Sequence, residues 1–219
     1  MIFRTDAECA KASILPEKDD PAVAAAEEAR AIASPTLREE MTRRAMQAWA
    51  LKDPEAALAW AAELPDQGES GIAMMQVCAE VAESDPAAAI RLAVSHRLDE
   101  VTGGIIGNFT ASWAARDLSA ARDWVTGQPA GEFHDQLMER IAFEYAKTDP
   151  PAAAQLVVDR MGSGESQIEA AISVLHQWAI KDLPAATAWV ALFPDGTLRD
   201  RASLEVAGFQ SRRPEGSAE

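Results

Sequence analysis

The side chains that could do chemistry are few. Three histidines stand at positions 96, 134 and 176, two cysteines at 9 and 78. Histidine could ligate a metal or move a proton, but these three share no common spacing and lie far from one another in the chain. They are expected to be surface or half-buried residues. Asp123 and Glu139 are single carboxylates without a partner at acid–base spacing, and Ser70 and Ser163 lie beside glycine without the strand–turn–helix context of a nucleophile. Gly103, Gly104 and Gly107 are the remaining suggestive group. No strand precedes them and no Lys-Ser/Thr follows, so a phosphate cradle is not expected. They loosen the start of a helix, or let another backbone come close. No cofactor or metal is called for, and no catalytic residue is assigned.

Bulk properties narrow the classes further. The 219 residues carry a formal net charge of -15, with 35 acidic and 20 basic side chains. A nucleic-acid groove needs a basic stripe, so a nucleic-acid partner is not expected, nor is an anionic membrane. A cationic protein or peptide is the partner class that this charge permits. The same acidity also serves solubility alone. Two cysteines without metal-type spacing suggest neither a disulfide framework nor a zinc site. Cys78 falls on an apolar helical face. The expected compartment is the cytoplasm, since no stretch reads as a secretory leader or a membrane span.

The elements that would position any site follow from a repeat. Trp49 to Trp60, Trp113 to Trp124 and Trp178 to Trp189 are three clear copies of one pattern, and Val81 to Leu92 and Tyr145 to Leu156 are two weaker ones. Their central aspartates, Asp53, Asp85, Asp117, Asp149 and Asp182, are separated by 32, 32, 32 and 33 residues. Asp suits a helix start, where its carboxylate accepts from orphan N–H groups and faces the positive helix end. Pro54, Pro86 and Pro150 follow at the first helical position, where a missing N–H costs nothing. Each Asp therefore separates a helix A from a helix B.

Alanine always stands three residues before the Asp (Ala50, Ala82, Ala114, Ala146, Ala179). An alanine pair stands three and four after it (Ala56/Ala57, Ala88/Ala89, Ala120/Ala121, Ala152/Ala153, Ala185/Ala186). Both members are expected to let the helices approach closely at a tight corner. A large residue four before the Asp covers the seam, and another seven after it packs from helix B. The tryptophans keep register with these alanines, so they read as core at helical spacing and not as a ligand-stacking box.

The spacing predicts helices over 5–14, 21–33, 36–52, 54–64, 69–83, 86–97, 100–116, 118–126, 131–147, 150–161, 165–181, 183–193 and 197–211, with no strand. Thr36 and Glu39 are spaced as a capping box, and Thr197 as a cap. The chain reads as one all-α helical-repeat domain over 1–219. Residues 1–35 form an atypical first unit, in which Asp20-Pro21 keeps register while Pro16 and Glu27 replace the seam and helix-B residues. Five regular helix pairs cover 36–193, and 197–219 is a capping helix and tail. Phe209 and Pro214 hold repeat positions there, so the tail reads either as a degraded cap or as the start of a further unit.

Helix pairs of 32 or 33 residues with paired alanines at the start of the second helix resemble the tetratricopeptide-like and Sel1-like α-solenoids. The resemblance covers roughly residues 20–211 and is one of architecture and period. Helix A here ends in Trp-Ala-x-x-Asp-Pro, unlike the tetratricopeptide signature, so no individual binding residue is carried over. The resemblance implies an open right-handed α-solenoid of antiparallel helix pairs, a concave face lined by helix A, and protein binding without catalysis.

On helix A the residues nine before each Asp are all polar: Arg44, Gln76, Asn108, Arg140 and Ser173. Those five before are Ala48, Glu80, Ser112, Glu144 and Gln177. The two sets lie four apart and share one face. They read either as a solvated face or as a groove for a protein or peptide partner, with Glu80 and Glu144 favouring basic side chains. The alternatives to a scaffold are the helical domain of an enzyme with a site across the concave face, or a repeat assembly that self-associates through its open ends.

Overall fold

A computed structural model of the chain describes residues 20–99 and 104–212, the side chain of Arg212 excepted. The described residues form α-helices and no strand: α1 (Pro21–Arg30), α2 (Pro35–Ala50), α3 (Pro54–Ala62), α4 (Gln67–Ser84), α5 (Pro86–Ser95), α6 (Ile105–Arg116), α7 (Leu118–Thr126), α8 (Glu132–Ala146), α9 (Pro150–Arg160), α10 (Glu165–Lys181), α11 (Leu183–Val190) and α12 (Thr197–Arg212). The helix expected over 5–14 and the positions of Cys9, Pro16, Gly103 and Pro214 lie outside the described residues. No described helix is long and apolar enough to cross a membrane.

Five corners are built in one way. Asp53, Asp85, Asp117, Asp149 and Asp182 have φ of -148, -137, -146, -136 and -147°, with ψ of 82 to 85°. In each, the Asp N–H donates to the carbonyl four residues back, at 2.7–2.9 Å, and so closes helix A. Its own carbonyl accepts from the alanine four residues on, at 3.0–3.1 Å, and opens helix B. Its carboxylate accepts the N–H of Ala56, Ala88, Ala120, Ala152 or Ala185 at 2.8–3.1 Å. A single residue thus satisfies groups of both helix ends, and the corner needs no further loop. Asp20 is different: its φ and ψ are -71 and 123° and its carboxylate accepts from Ala22, only two residues on.

The alanines divide by position. Those three before the Asp are all buried. Of each pair, only the second is fully enclosed: Ala57, Ala89, Ala121, Ala153 and Ala186 have no exposed surface. The first is half-buried, and Ala120 is exposed. The expectation that both pack at the corner is corrected here, because on a helix neighbouring side chains point about 100° apart and only one of them can face helix A. The seam tryptophans pair across each corner, with ring centroids 6.2 Å apart for Trp49 and Trp60, 5.7 Å for Trp113 and Trp124, and 5.6 Å for Trp178 and Trp189. Only the first pair is buried; the other four rings are half-buried.

Two expected caps are not formed. Pro35 occupies the first position of α2, behind Ser34, so Thr36 lies inside the helix and makes no capping bond. Likewise α12 begins at Thr197 itself, behind Gly196, whose φ is 149°.

The chain divides after Ile105 into two compact units. In the first, α2 packs on α1, α3 and α4, and α4 on α3 and α5. In the second, α8 packs on α7, α9 and α10, while α10 packs on α9, α11 and α12. Within each unit, then, an A helix meets its own B helix and the next A helix. The end of the second unit has a dense cluster of Leu175, Ala179, Leu183, Ala186, Val190 and Phe193, joined by Ala202 and Val206 of α12.

Candidate functional site

The polar positions of helix A sit on five helices. In the first unit α2 carries Arg44, and α4 carries Gln76 and Glu80. In the second, α6 carries Asn108 and Ser112, α8 carries Arg140 and Glu144, and α10 carries Ser173 and Gln177. Arg44, Asn108, Ser112 and Arg140 are exposed; Gln76, Glu80, Glu144, Ser173 and Gln177 are half-buried. Ala48 is also exposed.

Two of these side chains are already committed to close neighbours in the chain. Arg44 Nε donates to Glu40 at 2.8 Å. Glu40 also takes Arg43, which is the main reason its carboxyl lies below the ordinary carboxylate range. Glu144 receives the Lys147 ammonium at 2.7 Å, and that lysine lies 4.7 Å from the Phe143 ring. Gln76, Glu80, Asn108, Ser112, Arg140, Ser173 and Gln177 make no side-chain hydrogen bond or ion pair among the described residues. Their donors and acceptors face solvent or a partner.

Arg140 is placed by glycine. A Cβ added to Gly107 would lie 3.1 Å from Arg140 Nε. The guanidinium therefore lies against bare backbone of α6, next to Asn108. This is the close approach that the glycine cluster left open, made by a side chain and not by a main chain.

The histidines each meet one carboxylate. His96 Nε2 is 3.4 Å from Glu55, and His176 Nδ1 is 2.6 Å from Glu205, with Phe209 edge-on at 5.0 Å. His134 is buried, contrary to expectation, because it opens α8 facing inward; its Nδ1 is 2.9 Å from Asp135. Asp135 also accepts the N–H of Gly162 at 3.2 Å, so this pair ties the α9–α10 loop to α8. Each contact reads as an internal brace. Among the described residues, no group of three or more His, Cys, Asp and Glu could hold a metal ion. Asp123 is paired with Arg122 at 3.1 Å. Cys78 is buried, and desolvation, with a smaller push from Glu55, raises its thiol pKa to about 12.

Several charged contacts between neighbouring copies escaped the reading of the repeat. Arg38 of α2 holds Glu69 of α4 with bonds of 2.5, 3.0 and 3.1 Å and donates to the Ile32 carbonyl at 2.8 Å. Arg201 of α12 holds Glu165 and Glu169 of α10 at 2.9 and 2.7 Å. Lys52 reaches Asp20 at 2.9 Å. An acid and a base about one period apart was the available signal.

The chain matches no protein-family model, no curated protein and no solved structure.

Proposed function

We propose that the chain is a non-catalytic helical-repeat scaffold, an open right-handed α-solenoid related in architecture to the tetratricopeptide-like class, that binds a protein or peptide on its helix-A faces. The observation that carries this reading is the set of uncommitted polar side chains on those faces, Asn108 and Arg140 foremost. A side-chain amide both donates to and accepts from a peptide amide, and a guanidinium offers several donors to carbonyls or carboxylates. Glu80 suits a basic side chain. The net charge of -15 favours a basic partner and speeds its encounter. The packing of successive A helices within each unit and the five like corners agree with a solenoid.

The test is affinity capture from native cell extract with the wild-type chain and with Asn108→Ala/Arg140→Ala, followed by a binding measurement on the captured partner. The expected result is a partner that the double variant binds at least about tenfold more weakly, with the helical spectrum and melting curve unchanged. Binding should also weaken as salt is raised. Equal affinity of a folded double variant would make this face merely wet.

A further inference from the structure

Two clefts share a floor at the same positions of the repeat. In the first unit an opening of about 440 Å³ is floored by Val81, Ala88 and Leu92 and rimmed by Glu55, Arg91 and Ser95. In the second unit an opening of about 390 Å³ is floored by Tyr145, Ala152 and Leu156 and rimmed by Arg122, Asp123 and Asp159. Counted from Asp85 and from Asp149, both floors use the residues four before, three after and seven after. Both clefts are large enough for a small ligand or a single side chain of a partner.

These are the two copies that lack tryptophan. At the positions four before and seven after, the copies centred on Asp53, Asp117 and Asp182 carry a Trp pair with centroids 5.6–6.2 Å apart. The copies centred on Asp85 and Asp149 carry Val81 with Leu92 and Tyr145 with Leu156. Five near-identical corners hold the flanking helices in the same way whether or not the rings are present. The openings lie beside these smaller side chains, with Val81, Tyr145 and Leu156 half-buried and Leu92 buried at the base of its cleft.

We propose that each cleft receives an aromatic side chain, of tryptophan type, from a peptide segment of a partner protein. The occupant completes the packing that the other three copies make with their own rings. The rims fit a peptide in charge as well. Each presents a carboxylate and a guanidinium, Glu55 with Arg91 in one and Asp123 with Arg122 in the other. Glu55 already meets His96 at 3.4 Å, Arg91 lies 3.9 Å from Asp85, and Asp123 is bonded to Arg122 at 3.1 Å, so each rim offers a peptide backbone the acceptors and donors that these contacts leave over. Aromatic anchors seated in such pockets dominate peptide affinity. The clefts are built from B helices and the ends of A helices, so they stand or fall separately from the helix-A faces.

The test is a methyl- and ring-detected NMR titration of the full chain with N-acetyl-L-tryptophanamide, and with N-acetyl-L-alaninamide as control. Saturable shifts are expected at Val81 and Leu92 and at Tyr145 and Leu156, with the indole probe alone. Leu156→Trp should fill the second cleft and weaken binding there about tenfold or more, while the first cleft responds as before. Tyr145→Trp serves the same purpose should Leu156→Trp fail to fold. Absence of saturable shifts at either cleft, an equal response to the alanine control, or full binding in a folded, filled variant would each overturn the proposal.

Discussion

The indole N–H of Trp60 donates to the carboxylate of Glu27 at 2.6 Å, and the two residues hold the same place, seven after the motif Asp, in neighbouring copies. A glutamate at a position that elsewhere carries Trp or Leu is therefore the partner of the next copy's ring. Arg30 completes the arrangement, 6.0 Å from the Trp60 ring and bonded to the Glu63 carbonyl at 3.3 Å. Trp60 is buried, and a buried indole N–H needs an acceptor. Glu27→Ala should therefore destabilise the chain by about 1 kcal/mol, the value of an ordinary hydrogen bond and below that of a buried charged one, because Glu27 is exposed. A double-mutant cycle with Trp60→Phe in denaturant melts checks it; additive effects would mean that the bond contributes nothing.

Acid should loosen contacts between helices before it affects the core. The Lys52 ammonium holds the Asp20 carboxyl below its ordinary value, with help from the Ala22 N–H. Arg201 does the same for Glu169. A carboxylate whose pKa falls on folding binds fewer protons in the native state. Its contribution is thus complete above the unfolded value and is lost as pH drops through the folded one. Unfolding midpoints measured from pH 6 downward should fall below about pH 4. Glu169→Gln should flatten part of that fall; an unchanged acid limb would show that the Arg201 pair is too solvated to matter.

Cys78 should be inert in the native protein. Its thiol pKa of about 12 leaves almost no thiolate at neutral pH, and the side chain is buried. Site-resolved mass spectrometry after iodoacetamide treatment at pH 8 should find Cys78 unmodified until denaturant is added. The sign of its pH effect is opposite to that of the carboxylates. The folded state keeps the thiol proton where the unfolded chain, titrating near 9, has lost it. Stability should decline as pH rises from about 9 toward 12, and less so in Cys78→Ala. Alkylation of native Cys78 at the rate of a free thiol would contradict this placement.

The corners were legible because several requirements fall on one short stretch. A cap, a proline at the first helical position and small residues on both sides leave few other readings of Ala50 to Ala57. What depends on a neighbouring helix was not legible. Arg38 finds Glu69, and Arg201 finds Glu169, only because α2 crosses α4 and α10 meets α12 at particular heights. The period places such residues near one another but does not fix which pair meets. The polar positions of helix A show the same limit. All nine share one register, yet the Glu144 side chain is only 12% exposed beside Lys147, while Asn108 stands open. Burial along a helix face varies with the neighbour packed against it.

The alanine pair gives the most direct test of how the corners are packed. Ala120 and Ala121 are adjacent, both positions are alanine in all five regular copies, and the two cannot be told apart by residue type. Ala121 has no exposed surface, and its N–H bonds to the Asp117 carbonyl at 3.1 Å. Ala120 is exposed, and its N–H is engaged by the Asp117 carboxylate at 3.0 Å. Enlarging Ala121 must displace helix A or force a strained rotamer, so Ala121→Leu should cost about 1–3 kcal/mol. Enlarging Ala120 adds a side chain in solvent and leaves the cap intact, so Ala120→Leu should stay within about 0.5 kcal/mol of wild type. Leucine and alanine have similar helix propensity, which keeps the comparison to packing alone. Urea melts of the two variants decide the matter. A midpoint loss in Ala120→Leu equal to that in Ala121→Leu would mean that both alanines face helix A and that the corner is tighter than its burial implies.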